Sequence, residues 1–487
     1  MIPIDLDRAS EVTLQKQVYE HIRDLILSGR LRPEQPLPGS RRLAAAHRIS
    51  RNTVSLAYDR LMDEGYLKVG KSRRTLVAQT PPDRFLTVRA TGAAREIASD
   101  ETHTVTIPEL RSFDLSPGTP EKERINFFPG RPDKSCFPLQ AWRRILLRVM
   151  DRPGFSATEY PDPIGLPELR KAIARQIGAT RGIETNADCV IVTGGIQDAL
   201  NIATRLILKP GGRVVCEDPC YRGFSDLMCS LGIEIHPVPV DDDGIQTKEL
   251  PDSRTDICYV TPSHQFPTGV TLTTARRRTL IEWASEVGAY VIEDDYDSDF
   301  RYDGPPLTAL AGIARNERVL YCGTFSKSLG PGLRLGYLVV PLALAQKARK
   351  LKALYNHGNS VVEQMAMTEF LLTGQFERHV RRIRQLYKLR RDLLITGLRS
   401  SFENSKISGT LGGMHIMLRM GIGGPSAESL CHRLCAKGML VDFVGGKTSA
   451  TFTCKKRHAH SLIMGYAAVS EEQIFEALQT LQKSLVR

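Results

Sequence analysis

Leu14, Val18, Ile22, Leu25 and Ile26 recur at helical spacing, and Ser28-Gly29 closes that segment. A second apolar set follows at Leu43, Ala44 and Ala45. A third, Val54, Ala57, Tyr58 and Leu61, predicts a helix with Ser50 as its N-cap and Gly65 as its left-handed stop. This inward face leaves Arg51, Asn52, Thr53 and Ser55 on an exposed first turn. Residues 66–78 then read as a basic two-stranded wing around Gly70. Helix, short turn, then a helix with a polar and cationic start is the geometry that enters a major groove. Arg51 suits guanine or phosphate there, and Asn52 suits adenine. A small helical dimerisation module with a charged face has the same pattern.

Residues 79–120 carry Pro81-Pro82, many small and polar residues, and little apolar periodicity. So long a stretch is foreign to a compact domain and natural as a linker, with reach enough to span a dimer. From 121 to 487 apolar strands alternate with helical patterns. Val190–Thr193 is a strand, Gly194-Gly195-Ile196-Gln197 a turn, and 198–208 a helix stopped by Pro210-Gly211-Gly212. Further strands are expected at 213–217, 256–261, 289–293 and 318–322. This βα alternation predicts an α/β domain with a doubly wound, mostly parallel sheet, and ligands beyond the carboxyl ends of its strands.

A chain of 487 residues needs two or three domains, and its 41% hydrophobic content is that of an ordinary globular protein. No run approaches the roughly 18 apolar residues of a membrane span. The acidic start Asp5-Leu6-Asp7 does not fit a signal peptide, so a cytoplasmic protein is expected. The ten cysteines are scattered, with no zinc spacing, and no metal is expected; Cys431 and Cys435 share a helix face as packed thiols. The net charge of +12 suggests a polyanionic partner. Residues 1–78 hold 14 Lys+Arg against 9 Asp+Glu. A second basic run, from Arg378 to Arg391, has helical spacing without aromatic platforms. It reads as a solvated helix face or a domain contact.

The chemistry centres on Thr324-Phe325-Ser326-Lys327-Ser328-Leu329-Gly330-Pro331-Gly332-Leu333-Arg334. A primary amine among small and hydroxyl-bearing neighbours can condense with an aldehyde once its pKa is lowered. Arg334 offers a planar fork for a phosphate dianion, and Thr324 and Ser326 add donors. An aldehyde and a phosphate together describe pyridoxal 5'-phosphate (PLP). A surface lysine in a polar loop satisfies the lysine pattern alone. The turn Gly194–Gln197, at a helix N-terminus, is a natural phosphate seat. Glu293-Asp294-Asp295-Tyr296-Asp297 sits past a strand. It is either an acidic turn or the source of a carboxylate for the pyridine nitrogen and a phenol for the ring hydroxyl. Thr261–Gly269 also follows a strand and would frame the ring's other side.

Two family resemblances follow from these motifs. Leu37-Pro38-Gly39-Ser40-Arg41-Arg42-Leu43-Ala44, then Ser50-Arg51-Asn52-Thr53-Val54, resemble a GntR-family winged helix-turn-helix. That resemblance implies DNA contacts by Arg41, Ser50, Arg51, Asn52 and Thr53. Gly39 replaces a usual serine, and the wing lacks the usual Gly-x-Gly-Thr-Phe-Val. From about Phe127 the chain resembles the fold-type I, aspartate-aminotransferase-like PLP proteins. This implies Lys327 as the residue that bonds the cofactor, Asp294 at the pyridine nitrogen and Tyr296 at the ring hydroxyl. It also implies Arg334, Gly195, Ile196 and Gln197 at the phosphate, and Thr324, Tyr221 and His264 around the cofactor. Tyr160 matches a tyrosine that reaches the partner subunit's cofactor, so a homodimer is implied. A GntR head on such a domain is the layout of MocR-type transcriptional regulators, of which His264-Gln265-Phe266-Pro267-Thr268-Gly269 and Glu293–Ser298 are also typical.

The resemblance implies a regulator of transcription that senses an amine, an amino acid or PLP itself and controls promoter binding. The expected domains are 1–78, a linker over 79–120, and 121–487. The alternative is an active aminotransferase with a fused DNA-binding head. Ile463 stands where the family usually has an arginine for the ligand carboxylate, and a buried carboxylate without a cation is costly. That disfavours ordinary transamination. Arg222, beside Tyr221, is the expected substitute.

Overall fold

A computed structural model describes residues 4–79 and 125–485, apart from 9, 11, 71–73, 154, 156–157, 305–306, 315–317, 403 and 422–423. The expected linker lies outside the described residues from 80 onwards. The chain divides into two compact units, Met1–Thr106 and Ile107–Arg487.

The first unit is built from α1 (Leu14–Leu27), α2 (Ser40–His47) and α3 (Arg51–Asp63), followed by the strands β1 (Leu67–Val69) and β2 (Thr75–Val77). Val18, Ile22, Leu43, Val54, Ala57 and Leu61 form its core. Ser50 caps α3 through Oγ, which accepts the Thr53 N–H at 3.0 Å. Gly65 takes φ +79 just after the helix. The Tyr58 hydroxyl donates to Pro38 O at 2.9 Å and so ties the start of α2 to α3. β1 and β2 pair antiparallel with Leu67 opposite Val77, the expected wing.

In the second unit, alternation along the strands separates two cores. β3 (Val190–Thr193), β4 (Val214–Asp218), β5 (Ile235–Asp241), β6 (Gly244–Ile245), β7 (Ile257–Val260), β8 (Tyr290–Asp295), β9 (Val319–Thr324) and β10 (Gly336–Val339) form one sheet. Val192, Val291 and Val339 point into one cluster, and Ile191, Ile292 and Leu338 into the other. The order is β3-β10-β9-β8-β7-β4-β5-β6. β9, β8, β7, β4 and β5 run parallel, while β10 is antiparallel to both neighbours. A smaller antiparallel sheet has the order β11 (Lys406–Ser408), β12 (His415–Arg419), β14 (Ser461–Gly465), β13 (Asp442–Phe443).

Two expected boundaries move. The helix after the glycine turn, α4, spans Ile196–Ile207 and so begins at Ile196 rather than Asp198, directly after Gly195 at φ +114. β8 continues through Asp294 and Asp295, so these acids end the strand instead of following it. They are tolerated there because partners arrive from distant elements. Arg181 Nη2 meets Asp295 Oδ2 at 2.6 Å, and the Tyr321 hydroxyl donates to the same oxygen at 2.5 Å. Glu293 accepts the N–H groups of Leu310 and Ala311. Among the described residues no helix is long and apolar enough to cross a membrane.

The Arg181–Asp295 pair is almost wholly buried, with side-chain exposures of 8% and 0%. Arg181→Met should therefore destabilise the fold by roughly 3–5 kcal/mol, because it strands a carboxylate in the core. Thermal unfolding at neutral pH measures it; a variant that melts with the parent would contradict the assignment.

Candidate functional site: a cofactor cradle at the strand ends

The carboxyl ends of β3, β7, β8 and β9 converge on Lys327. Its Nζ donates to Gly130 O at 2.9 Å, and a Cβ on Gly130 (φ +77) would stand 2.6 Å from that nitrogen. Burial lowers the Lys327 pKa, while Asp297 and Asp294 act to raise it. The lysine is thus nearer to a free amine than a solvent-exposed one, as a nucleophile requires.

Asp294 is 3% exposed. Its Oδ2 accepts the Tyr259 hydroxyl at 2.7 Å. Tyr259 is itself fixed by stacking on Phe224, with centroids 4.0 Å apart. The other oxygen, Oδ1, is buried and has no hydrogen-bond partner. Burial pushes the Asp294 pKa up to about 7, against the Tyr259 hydrogen bond. An unpaired buried carboxylate oxygen is expensive and calls for a donor or a cation.

Arg334 adopts a left-handed backbone at φ 50. Its guanidinium lies beside the glycine turn, since a Cβ on Gly195 would meet Nη1 at 3.5 Å. Gly195 is the N-cap of α4 and Ile196 its first residue, so their N–H groups have no acceptor within the helix and stand, with Arg334, where an anion could be held. The Gln197 side chain is turned away from that seat and donates to Gly223 O at 2.8 Å. The Thr324 hydroxyl donates to Ser326 Oγ at 3.0 Å, close to the lysine. Tyr221 packs edge-on to Phe266, with centroids 6.0 Å apart. Its phenol pKa is raised by burial and by the Asp294 and Asp226 charges, and eased by Arg334.

Tyr296 donates to His264 O at 3.0 Å and lies 3.2 Å from His264 Nδ1. That nitrogen is also 3.0 Å from Asp297 Oδ2. Tyr296 and His264 therefore form one hydrogen-bonded unit at the end of β8, which the sequence had as separate groups. Tyr160 is not drawn into the cluster; it is 86% exposed, with His357 its nearest ring at 5.7 Å.

Arg222 does not fit its expected role. Its guanidinium donates to Gly446 O at 2.7 Å, Ser449 O at 2.9 Å and Gly445 O at 3.3 Å, so its fork is spent on backbone carbonyls. Ile463 is fully buried in an apolar cluster with Met417 and Val444. In the first unit Arg41, Ser50, Arg51 and Asn52 are exposed and Thr53 half-exposed, Ser50 and Thr53 sharing a 2.8 Å hydroxyl contact. Leu56, on the same outer face of α3, is 44% exposed and was missed because its spacing matched neither pattern.

Residues 14–77 match the profile "Bacterial regulatory proteins, gntR family", and residues 126–481 match "Aminotransferase class I and II". The chain is 32% identical to the HTH-type transcriptional regulator YhdI of Bacillus subtilis, over 98% of this chain and 97% of that protein. It is 31% identical to the probable rhizopine catabolism regulatory protein MocR of Rhizobium meliloti, over 99% and 95%. Among solved structures it resembles a Pyrococcus horikoshii kynurenine aminotransferase, at 28% identity and a TM-score of 0.68, over 74% of this chain and 90% of that one.

Asp294 also sets a pH dependence. Its folded pKa lies above the unfolded value of about 3.9, so the folded state holds the extra proton. The cofactor-free protein should lose stability as pH rises from about 4 to about 7, and Asp294→Asn should recover roughly 1–3 kcal/mol at pH 8. Chemical denaturation at both pH values reads this, and an Asn variant no more stable at pH 8 would refute it. Taken with the coverage of nearly the whole length, these matches and this geometry establish that the chain belongs to the MocR-type, GntR-headed regulators with an aminotransferase-like domain.

Proposed function

We propose that this protein is a PLP-binding, DNA-binding regulator of transcription. The observation that carries the cofactor half is Asp294 Oδ1, a buried acceptor without a donor on the same site as a desolvated lysine. Asp294 would accept a protonated pyridine nitrogen there, and a positive charge at that point would return its carboxyl to the ionised form. When bound, PLP supplies an aldehyde for an amine and a conjugated electron sink. Lys327 would be the residue that bonds that aldehyde, and Gly195, Ile196 and Arg334 would hold its phosphate. Tyr221 and the Tyr296–His264 pair bound the ring and exclude water.

Arg41 and the first turn of α3, with Ser50, Arg51, Asn52 and Thr53, meet the operator, and the exposed Leu56 suits a thymine methyl. The proposed domains are 1–78 for DNA and 121–487 for cofactor, joined through 79–120. The exposed Tyr160 supports a homodimer in which that ring is covered. An amine, an amino acid or PLP itself acts as effector by binding one DNA-binding state better than another. The free cysteines suit a reducing cytoplasm. Transamination is disfavoured because neither Ile463 nor the engaged Arg222 offers a cation to a substrate carboxylate.

Lys327→Ala should abolish borohydride-fixed cofactor on the peptide bearing that residue. Mass spectrometry of the digest checks this, and a label retained on the same peptide would sink the assignment. Arg51→Ala should weaken operator binding by roughly 1–3 kcal/mol in a gel-shift titration, with the cofactor's visible absorbance unchanged. Sustained keto-acid production from a common amino acid would favour the aminotransferase instead.

A further inference from the structure

Behind the Gly194-Gly195 turn stands an ion pair outside the roles given above. Asp198, in the first turn of α4, accepts the Gly194 N–H at 2.8 Å through Oδ2. The same oxygen accepts Lys352 Nζ at 2.8 Å. Lys352 comes from the helix Leu342–Asn356, α5, and its side chain is 0% exposed against 19% for Asp198. A buried lysine is retained only with a partner, and its partner here is an acid at the mouth of an anion seat.

A carboxylate in a helix's first turn is favourable by itself, because it meets the positive end of the dipole. Beside a phosphate dianion it is a rival for the same donors. A Cβ on Gly194 would find Asp198 Oδ2 at 3.6 Å, Asn359 Nδ2 at 3.7 Å and Arg334 Nη2 at 3.9 Å. The acid and the guanidinium therefore flank one point. An unneutralised Asp198 would attract Arg334 and repel the phosphate. With Lys352 on its Oδ2, the pair carries no net charge, the Gly194 N–H stays fixed, and Arg334 remains available.

We propose that Lys352 is a positioning residue for the cofactor phosphate, acting by neutralising Asp198. The inference rests on the PLP reading of the site. It assigns Lys352 no contact with the ring, so its effect is confined to ligands that carry the phosphate.

The test compares PLP with pyridoxal, which lacks the phosphate, by equilibrium titration of the purified full-length protein. Lys352→Met should weaken PLP roughly tenfold, within the coupling range of contacting charged pairs, and leave pyridoxal unchanged. Asp198→Asn should bind PLP at least as well as the parent. Asp198→Asn/Lys352→Met should restore PLP affinity to within about threefold of the parent, and serves where the single methionine variant does not fold. Equal loss of both ligands in Lys352→Met, unchanged PLP affinity there, or a double variant as weak as that single one overturns the inference. So does a weakened Asp198→Asn. A parent protein that takes up neither ligand removes the cofactor reading, and this inference with it.

Discussion

A half-satisfied acid in a dry place governs the second unit. Asp294 is the last residue but one of a parallel strand in the middle of the sheet, with one oxygen held by Tyr259 and the other without a donor. Burial acts on it and on Lys327 in opposite directions, raising the acid's pKa and lowering that of the amine. Both groups are pushed toward their neutral forms. A cationic heterocycle at the acid and an aldehyde at the amine would relieve both at once, so one ligand could answer two separate costs.

The scaffold is arranged to sustain that cost. Neighbouring acids at the end of β8 are paid for locally: Asp295 by Arg181 and Tyr321, Glu293 by backbone N–H groups. Among the described residues Asp294 has no cation paired to it: Oδ2 holds only the Tyr259 hydroxyl, and Oδ1, like Asp295 Oδ1, is buried without a partner. Stacking of Tyr259 on Phe224 keeps the one partner it has from following it out of place. The glycine turn and Arg334 stand at the end of β3 and beyond β9, so the cationic and acidic groups of the site come from different strands of one sheet.

Much of this was legible because short-range pattern controls it. Val190–Thr193 and the glycines after it are contiguous, and so are Ser50 and the helix it caps. The alternation of short apolar strands with helical patterns assigned the sheet, because each of those patterns is local. What escaped the sequence was long-range. Lys352 is one cation among many until α5 packs it onto Asp198, and Arg222 looks like a free cation until a loop more than two hundred residues away supplies its carbonyls. The basic run on the helix Gln375–Ser401 divides in the same way: Arg390 and Arg391 are buried on Asp133 and Asp303, while Arg378 and Arg381 face outward. The first two are contacts within the unit, which charge spacing could not separate from a solvated face.

Arg222 has a mechanical consequence. It sits at the start of the helix after β4, whereas Gly445 and Gly446 lie in the loop that leaves β13 of the small sheet, and Ser449 lies in a short strand paired with Cys220–Tyr221. One planar group thus joins a strand pairing of Tyr221 with Ser449, and Asp218 adds the N–H groups of Phe452, Thr453 and Cys454 to the same seam. Anchors spread over a guanidinium, a carboxylate and a backbone ladder mean that removing any one of them leaves the seam held by the others.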